Sequence, residues 1–218
     1  MPAVPAVVVL AAGLGLLSGV VVNRAAGRFP WLARERRLAV RPPLVEVGTA
    51  GLFALVGLRF GLSWELPAFL FLAGAGMLLA LIDLRHRLLP NRVVRPAFLV
   101  GAALLCVAAV AQSTWLPLLR AGLGAVVLFS VFLVLALISP KSLGMGDVKL
   151  AGLLGLHLGW LGWGAVLIGA AAGFVVQALV ALLLLTARLV KLRGELPFGP
   201  AMLLGAALAV GWSNALLS

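Results

Sequence analysis

Apolar runs close to 20 residues long follow one another from Val4 onward, separated by short connections rich in Arg and Lys. A helix needs about 20 such residues to cross the hydrocarbon core of a bilayer. Only segments that satisfy every backbone N–H and C=O internally persist there. Together these facts narrow the fold class to an all-α, polytopic helical membrane protein. Charged residues make up 11% of the chain, against about 25% in soluble domains. Eight transmembrane helices are predicted, at residues 4–22, 43–60, 66–83, 96–112, 116–139, 148–161, 162–187 and 199–216. The sixth is short for a full span, so a tilt, or a break near Gly159–Gly164, is expected. No basic segment precedes the first, which reads as a retained helix rather than a cleaved signal. Residues 1–218 are expected to form one membrane-embedded domain.

The net charge of +11 records topology. Fifteen of the 17 Lys and Arg residues fall in alternate connections, leaving Arg59 and Arg120 for the other side. The positive-inside rule then puts the basic connections in the cytoplasm and both termini outside. This pattern predicts a multi-pass protein of the cytoplasmic (inner) membrane whose partners include anionic lipid headgroups and no nucleic acid. The run with Arg34, Arg36 and Arg37, within the short basic connection 23–42, is expected to clamp such headgroups. Cys106 is the single cysteine, so no disulfide framework or Cys-rich metal site can form within one chain. It reads as a small buried apolar residue. No metal and no cofactor are expected.

Against this background the chain keeps only two aspartates, Asp83 and Asp147. A carboxylate at membrane depth costs about 2.5–3.5 kcal/mol on insertion scales, so each calls for a reason. Asp83 ends the third predicted helix and Asp147 opens the sixth, both at the cytoplasmic boundary. Asp83 could pair with Arg87 or Arg85. Asp147 could be the N-cap of a helix beginning at Val148. Beside it, Gly144 and Gly146 permit backbone conformations and close approaches that a Cβ would block. Irregular backbone at this depth is tolerated only where protein or a water-filled cavity covers it. A glycine-broken loop that delivers a carboxylate there suits hydrolysis.

The segment Gly144-Met145-Gly146-Asp147-Val148-Lys149-Leu150 resembles the GxGDxKL signature of the type IV prepilin leader peptidases, which are membrane aspartyl proteases. Asp83, followed by Pro90-Asn91, resembles that family's other motif. Weaker likenesses agree in order along the chain: Ser18 to Asn23 with Arg28-Phe29-Pro30, Arg41 to Glu46, and Leu196-Pro-Phe-Gly-Pro200. The resemblance implies that Asp83 and Asp147 are the catalytic pair, with Gly144, Gly146, Lys149, Pro90 and Asn91 supporting the site or positioning substrate. It further implies removal of a short basic leader from prepilin or pseudopilin precursors, after a glycine and at the cytoplasmic face.

Two carboxylates held close cannot both ionise cheaply, so such a pair shares a proton and titrates as a unit. One member can take a proton from water while the other polarises the scissile carbonyl. Long members of the family carry a cysteine-rich insertion, associated with N-methylation, between the first two helices. Here residues 23–42 contain no cysteine, so the chain resembles the short form and the implied activity is the peptidase alone. Glu46 and Glu195 are further cytoplasmic-side candidates for orienting substrate or pairing with arginine. His86 and His157 are expected to lie outside the site. The alternative is an ion- or proton-coupled transporter using the same two aspartates, but the predicted helix interiors offer few polar groups for a path.

Overall fold

A computed structural model of the chain describes residues 3–29, 39–139, 143–188 and 196–212. The segment with Arg34, Arg36 and Arg37, and Glu195, lie outside the described residues. Among the described residues are eight helices and no strand: α1 (Ala3–Gly27), α2 (Leu44–Phe60), α3 (Leu66–His86), α4 (Asn91–Gln112), α5 (Trp115–Ile138), α6 (Met145–Leu161), α7 (Trp163–Thr186) and α8 (Gly199–Trp212). The protein is an all-α, polytopic membrane protein. Helices α1, α3, α4, α5 and α7 are long and apolar enough to cross a bilayer. The others are shorter, with 17 residues in α2, 17 in α6 and 14 in α8.

Helix α1 runs on to Gly27 rather than ending at 22, and three further ends that differ from the sequence expectation shape the site. Helix α3 continues past Asp83 to His86, α4 begins at Asn91 rather than 96, and α6 begins at Met145 rather than Val148. Polarity ends an apolar run without ending a helix, because Arg and Lys are good helix formers. Arg85, Arg92 and Arg95 are therefore helical, and the connection between α3 and α4 shrinks to residues 87–90. Pro90 starts α4 with φ −71°. Its carbonyl accepts from the amides of Val93 and Val94 at 2.9 and 3.1 Å. Pro96 then lies within the helix, where its missing N–H removes one ladder bond.

The helices pack as three tight hairpins, α1 on α2, α5 on α6 and α7 on α8, joined through α3 and α4. Glycines set the close crossings. A Cβ on Gly155 would run into the carbonyl of Gly124, and one on Gly205 into the backbone of Gly173. Small residues let membrane helices approach closely enough for van der Waals packing, which replaces the hydrophobic drive absent in lipid. Helix α6 touches α4, α5, α7 and α8, and every residue from Leu150 to Trp160 is buried. A helix that is apolar all round belongs inside a bundle, and this central position accounts for its short length without a break. Helices α1 and α2 flank α3 instead, where Val22, Ala26 and Val45 pack against Leu81 and Ile82. Cys106 was expected to be buried; it is exposed on the outer face of α4.

Candidate active site

Four helix ends meet at the end of the bundle that carries the basic residues: the last turn of α3 and the first turns of α4, α6 and α8. Asp83 sits in the last turn of α3 with 4% of its surface exposed. The next turn closes with Arg87 in the left-handed conformation (φ 52°, ψ 40°), its N–H donating to Asp83 O at 2.8 Å. The Asp83 carboxylate is turned away from this turn. Its Oδ2 accepts a hydrogen bond from Gly199 N, at the start of α8, at 3.0 Å in a buried setting. Among the described residues Asp83 forms no ion pair with Arg85 or Arg87.

Asp147 occupies the third position of α6, not the N-cap; the N-cap is Gly144. The Asp147 N–H donates to Gly144 O at 3.0 Å. In return Gly144 N donates to Asp147 Oδ2 at 3.0 Å. This is the reciprocal arrangement of a capping box, with backbone in place of the usual hydroxyl. The expected glycine-broken loop is therefore mostly helix, and the two glycines do different work. Gly144 has extended backbone, and a Cβ there would meet Asp147 Oδ2 at an ordinary 3.6 Å. Gly146 lies inside the first turn, where a Cβ would stand 2.9 Å from Leu89 Cβ.

Leu89 joins the two halves of the site. It is 8% exposed and presses on Gly146 on one side. On the other side its Cδ1 lies 3.5 Å from where a Gly199 Cβ would be. Across the mouth, Lys149 Nζ donates to Asn91 Oδ1 at 2.7 Å, tying the first turn of α6 to that of α4. Asp83 and Asp147 thus share one end of the bundle, and Leu89 packs between Gly146, beside Asp147, and Gly199, the partner of Asp83. Every residue singled out in the two motifs, Asp83, Pro90, Asn91, Gly144, Gly146, Asp147 and Lys149, falls in this one region.

Sequence reasoning assigned no role to Leu89 or Gly199, whose partners are distant in the chain. A clasp between α1 and α2 was likewise missed. Asn23 is fully buried. Its amide nitrogen donates to Val40 O and to Glu46 Oε1, both at 3.0 Å, and its Oδ1 accepts from Val40 N. Among the described residues Glu46 pairs with an asparagine and with no arginine, and its buried Oε2 has no hydrogen-bond partner among them. His157 is fully buried and lies about 15 Å along α6 from Asp147, with Nδ1 against Leu153 O at 3.0 Å.

Comparison with known proteins places the chain in a family. The type IV leader peptidase family matches residues 69–187. The chain belongs to that family. A "Prepilin leader peptidase/N-methyltransferase" of Pseudomonas putida is 35% identical over 187 residues, covering 84% of this chain and 62% of the relative. Proteins of the same name from Pseudomonas aeruginosa PAO1 and Bacillus subtilis 168 are 32% and 36% identical, with 59% and 70% of their own lengths covered. The chain thus spans about three fifths of the Pseudomonas relatives. No solved structure matches. The family match begins in α3 and ends just after α7, so Gly199, the buried partner of Asp83, lies beyond it.

Proposed function

We propose that the protein is a membrane-embedded aspartic endopeptidase that removes the short basic leader from type IV prepilins or pseudopilins at the cytoplasmic face of the inner membrane. The convergence of Asp83 and Asp147 at one end of the bundle, bridged by the Lys149–Asn91 contact between their two motifs, carries this reading. A water between the carboxylates gives a proton to the ionised member as its oxygen attacks the scissile carbonyl. The protonated member donates to the carbonyl oxygen. Collapse of the tetrahedral intermediate returns a proton to the leaving amine. No covalent enzyme intermediate, metal or cofactor enters these steps. Pro90 starts α4 so that Asn91 can hold Lys149, while Gly146 lets Leu89 and the connection 87–90 lie against α6. The basic helix ends face the cytoplasm and anionic headgroups, with both termini outside, and residues 1–218 work as one domain.

The direct test reconstitutes the purified protein in liposomes with a prepilin bearing a basic leader. Loss of the leader, with a new N-terminus confirmed by sequencing, supports the reading. Intact precursor beside folded protein overturns it, and proton or ion flux in the same liposomes favours the transporter alternative. The name shared by the curated relatives includes a methyltransferase, whereas residues 23–42 carry no cysteine. The product is therefore expected to leave with an unmodified amine. Mass spectrometry after incubation with S-adenosylmethionine checks this, and a product heavier by one methyl group refutes it.

A further inference from the structure

We propose that Gly199 is a positioning residue of this site: its backbone N–H fixes one carboxylate oxygen of Asp83 and leaves the other to exchange a proton with the reacting water. The inference rests on the peptidase reading and adds α8 to the machinery. Three observations carry it. The Gly199 N–H reaches Asp83 Oδ2 at 3.0 Å across 116 residues of sequence, in a buried setting. A side chain at this position would push the carboxylate out of place, since a Cβ on Gly199 would stand 2.7 Å from Asp83 Oδ2 and 3.3 Å from its Cγ. The residue before it is anchored: the Phe198 ring lies 5.2 Å from Phe174 and 6.1 Å from Phe132. Phe198 O accepts from Met202 N at 3.1 Å, closing the first turn of α8.

The chemistry explains why such a donor matters. A carboxylate that takes a proton from water must present a lone pair in a defined direction, and a preset N–H orients it without reorganisation during the reaction. Asp147 has the same arrangement, with its Oδ2 held by Gly144 N. Each carboxylate thereby has one oxygen tied to backbone, and the two Oδ1 atoms, with no hydrogen bond among the described residues, are left for the water and the carbonyl.

The test uses the full-length protein in liposomes with a prepilin. The amide at position 199 is replaced by an ester, with glycolic acid in place of glycine, which removes the N–H and keeps the shape. Gly199→Ala serves as a second variant. Gly211→Ala, in the same helix with nothing near its Cβ, is the control. The ester is expected to lower kcat about 10- to 100-fold, the range for a hydrogen bond to a charged group. Its KM should stay within about twofold and its pH–rate profile should change. Gly199→Ala should lose more, and Gly211→Ala should match wild type. An ester variant with wild-type kcat and pH profile overturns this inference alone. So does one whose only change is in melting temperature or KM. A wild-type protein that cleaves nothing overturns the inference together with the peptidase reading. If the alanine variant fails to fold, the ester decides.

Discussion

The two aspartates are held in opposite ways. Asp147 is tied to its own turn: its carboxylate and N–H pair with Gly144 three residues earlier, at an exposed helix start. Asp83 is tied across the molecule, by the first amide of α8 in a buried setting. One half of the site is complete once a single turn of helix forms. The other exists only after α3 and α8 have packed. A local half can be written as a compact motif, whereas an assembled half depends on every helix that brings α8 to α3. Leu89, buried between Gly146 and Gly199, is where the two halves meet.

The largest expected effect treats the halves alike. Asp83→Asn and Asp147→Asn should each lower prepilin cleavage about 1,000-fold, within the range for loss of a general acid or base, while helicity by circular dichroism is unchanged. Substantial cleavage by either variant would remove the shared-carboxylate mechanism. The next tests the junction. Gly146→Ala places a methyl 2.9 Å from Leu89 Cβ, and a displacement near 1 Å at a catalytic group can cost about 100-fold. Its kcat should fall by about 10- to 100-fold, and a variant as active as wild type would show that the close approach of Leu89 is unimportant.

A milder loss is expected at the mouth. Asn91→Ala removes the acceptor for Lys149 Nζ in an exposed contact. An exchange of this kind is worth about 0.5–1.5 kcal/mol, or roughly 3- to 10-fold in kcat/KM. Lys149→Gln should give no further loss in the Asn91→Ala background, and additive losses would mean the two side chains act separately. The smallest change belongs to the other glycine of the motif. A Cβ at Gly144 meets only ordinary contacts, so Gly144→Ala should keep activity within about threefold, its cost limited to a poorer N-cap. A ranking in which Gly144→Ala is worse than Gly146→Ala would reverse the assignment of which glycine is sterically required.

Much of the fold was legible because lipid allows few alternatives. Apolar run length predicted eight helices at the positions where eight are found among the described residues. The boundaries were less legible, since Arg92 and Arg95 end an apolar run but not a helix. Within the site, the local half was readable because Gly144, Gly146 and Asp147 are adjacent. Its helix start was placed one turn late, at Val148, whereas Asp147 is already the third residue of α6. Gly199 stood inside a recognised segment, yet nothing local shows that its N–H faces Asp83. The same is true of Leu89 and of the Asn23–Glu46 pair, whose meaning lies in partners brought close by packing.

Helix α6 carries Asp147 and Lys149, and over most of its length it touches only protein. Bilayer thickness therefore acts directly on the outer helices, where α1, α5 and α7 have 24 or 25 residues and can tilt to match the lipid. The depth of the Asp147 end of the site follows from the glycine contacts between α5 and α6, not from the acyl chains around the protein. Lipids of different length would reorient the outer helices while that end keeps its place in the bundle.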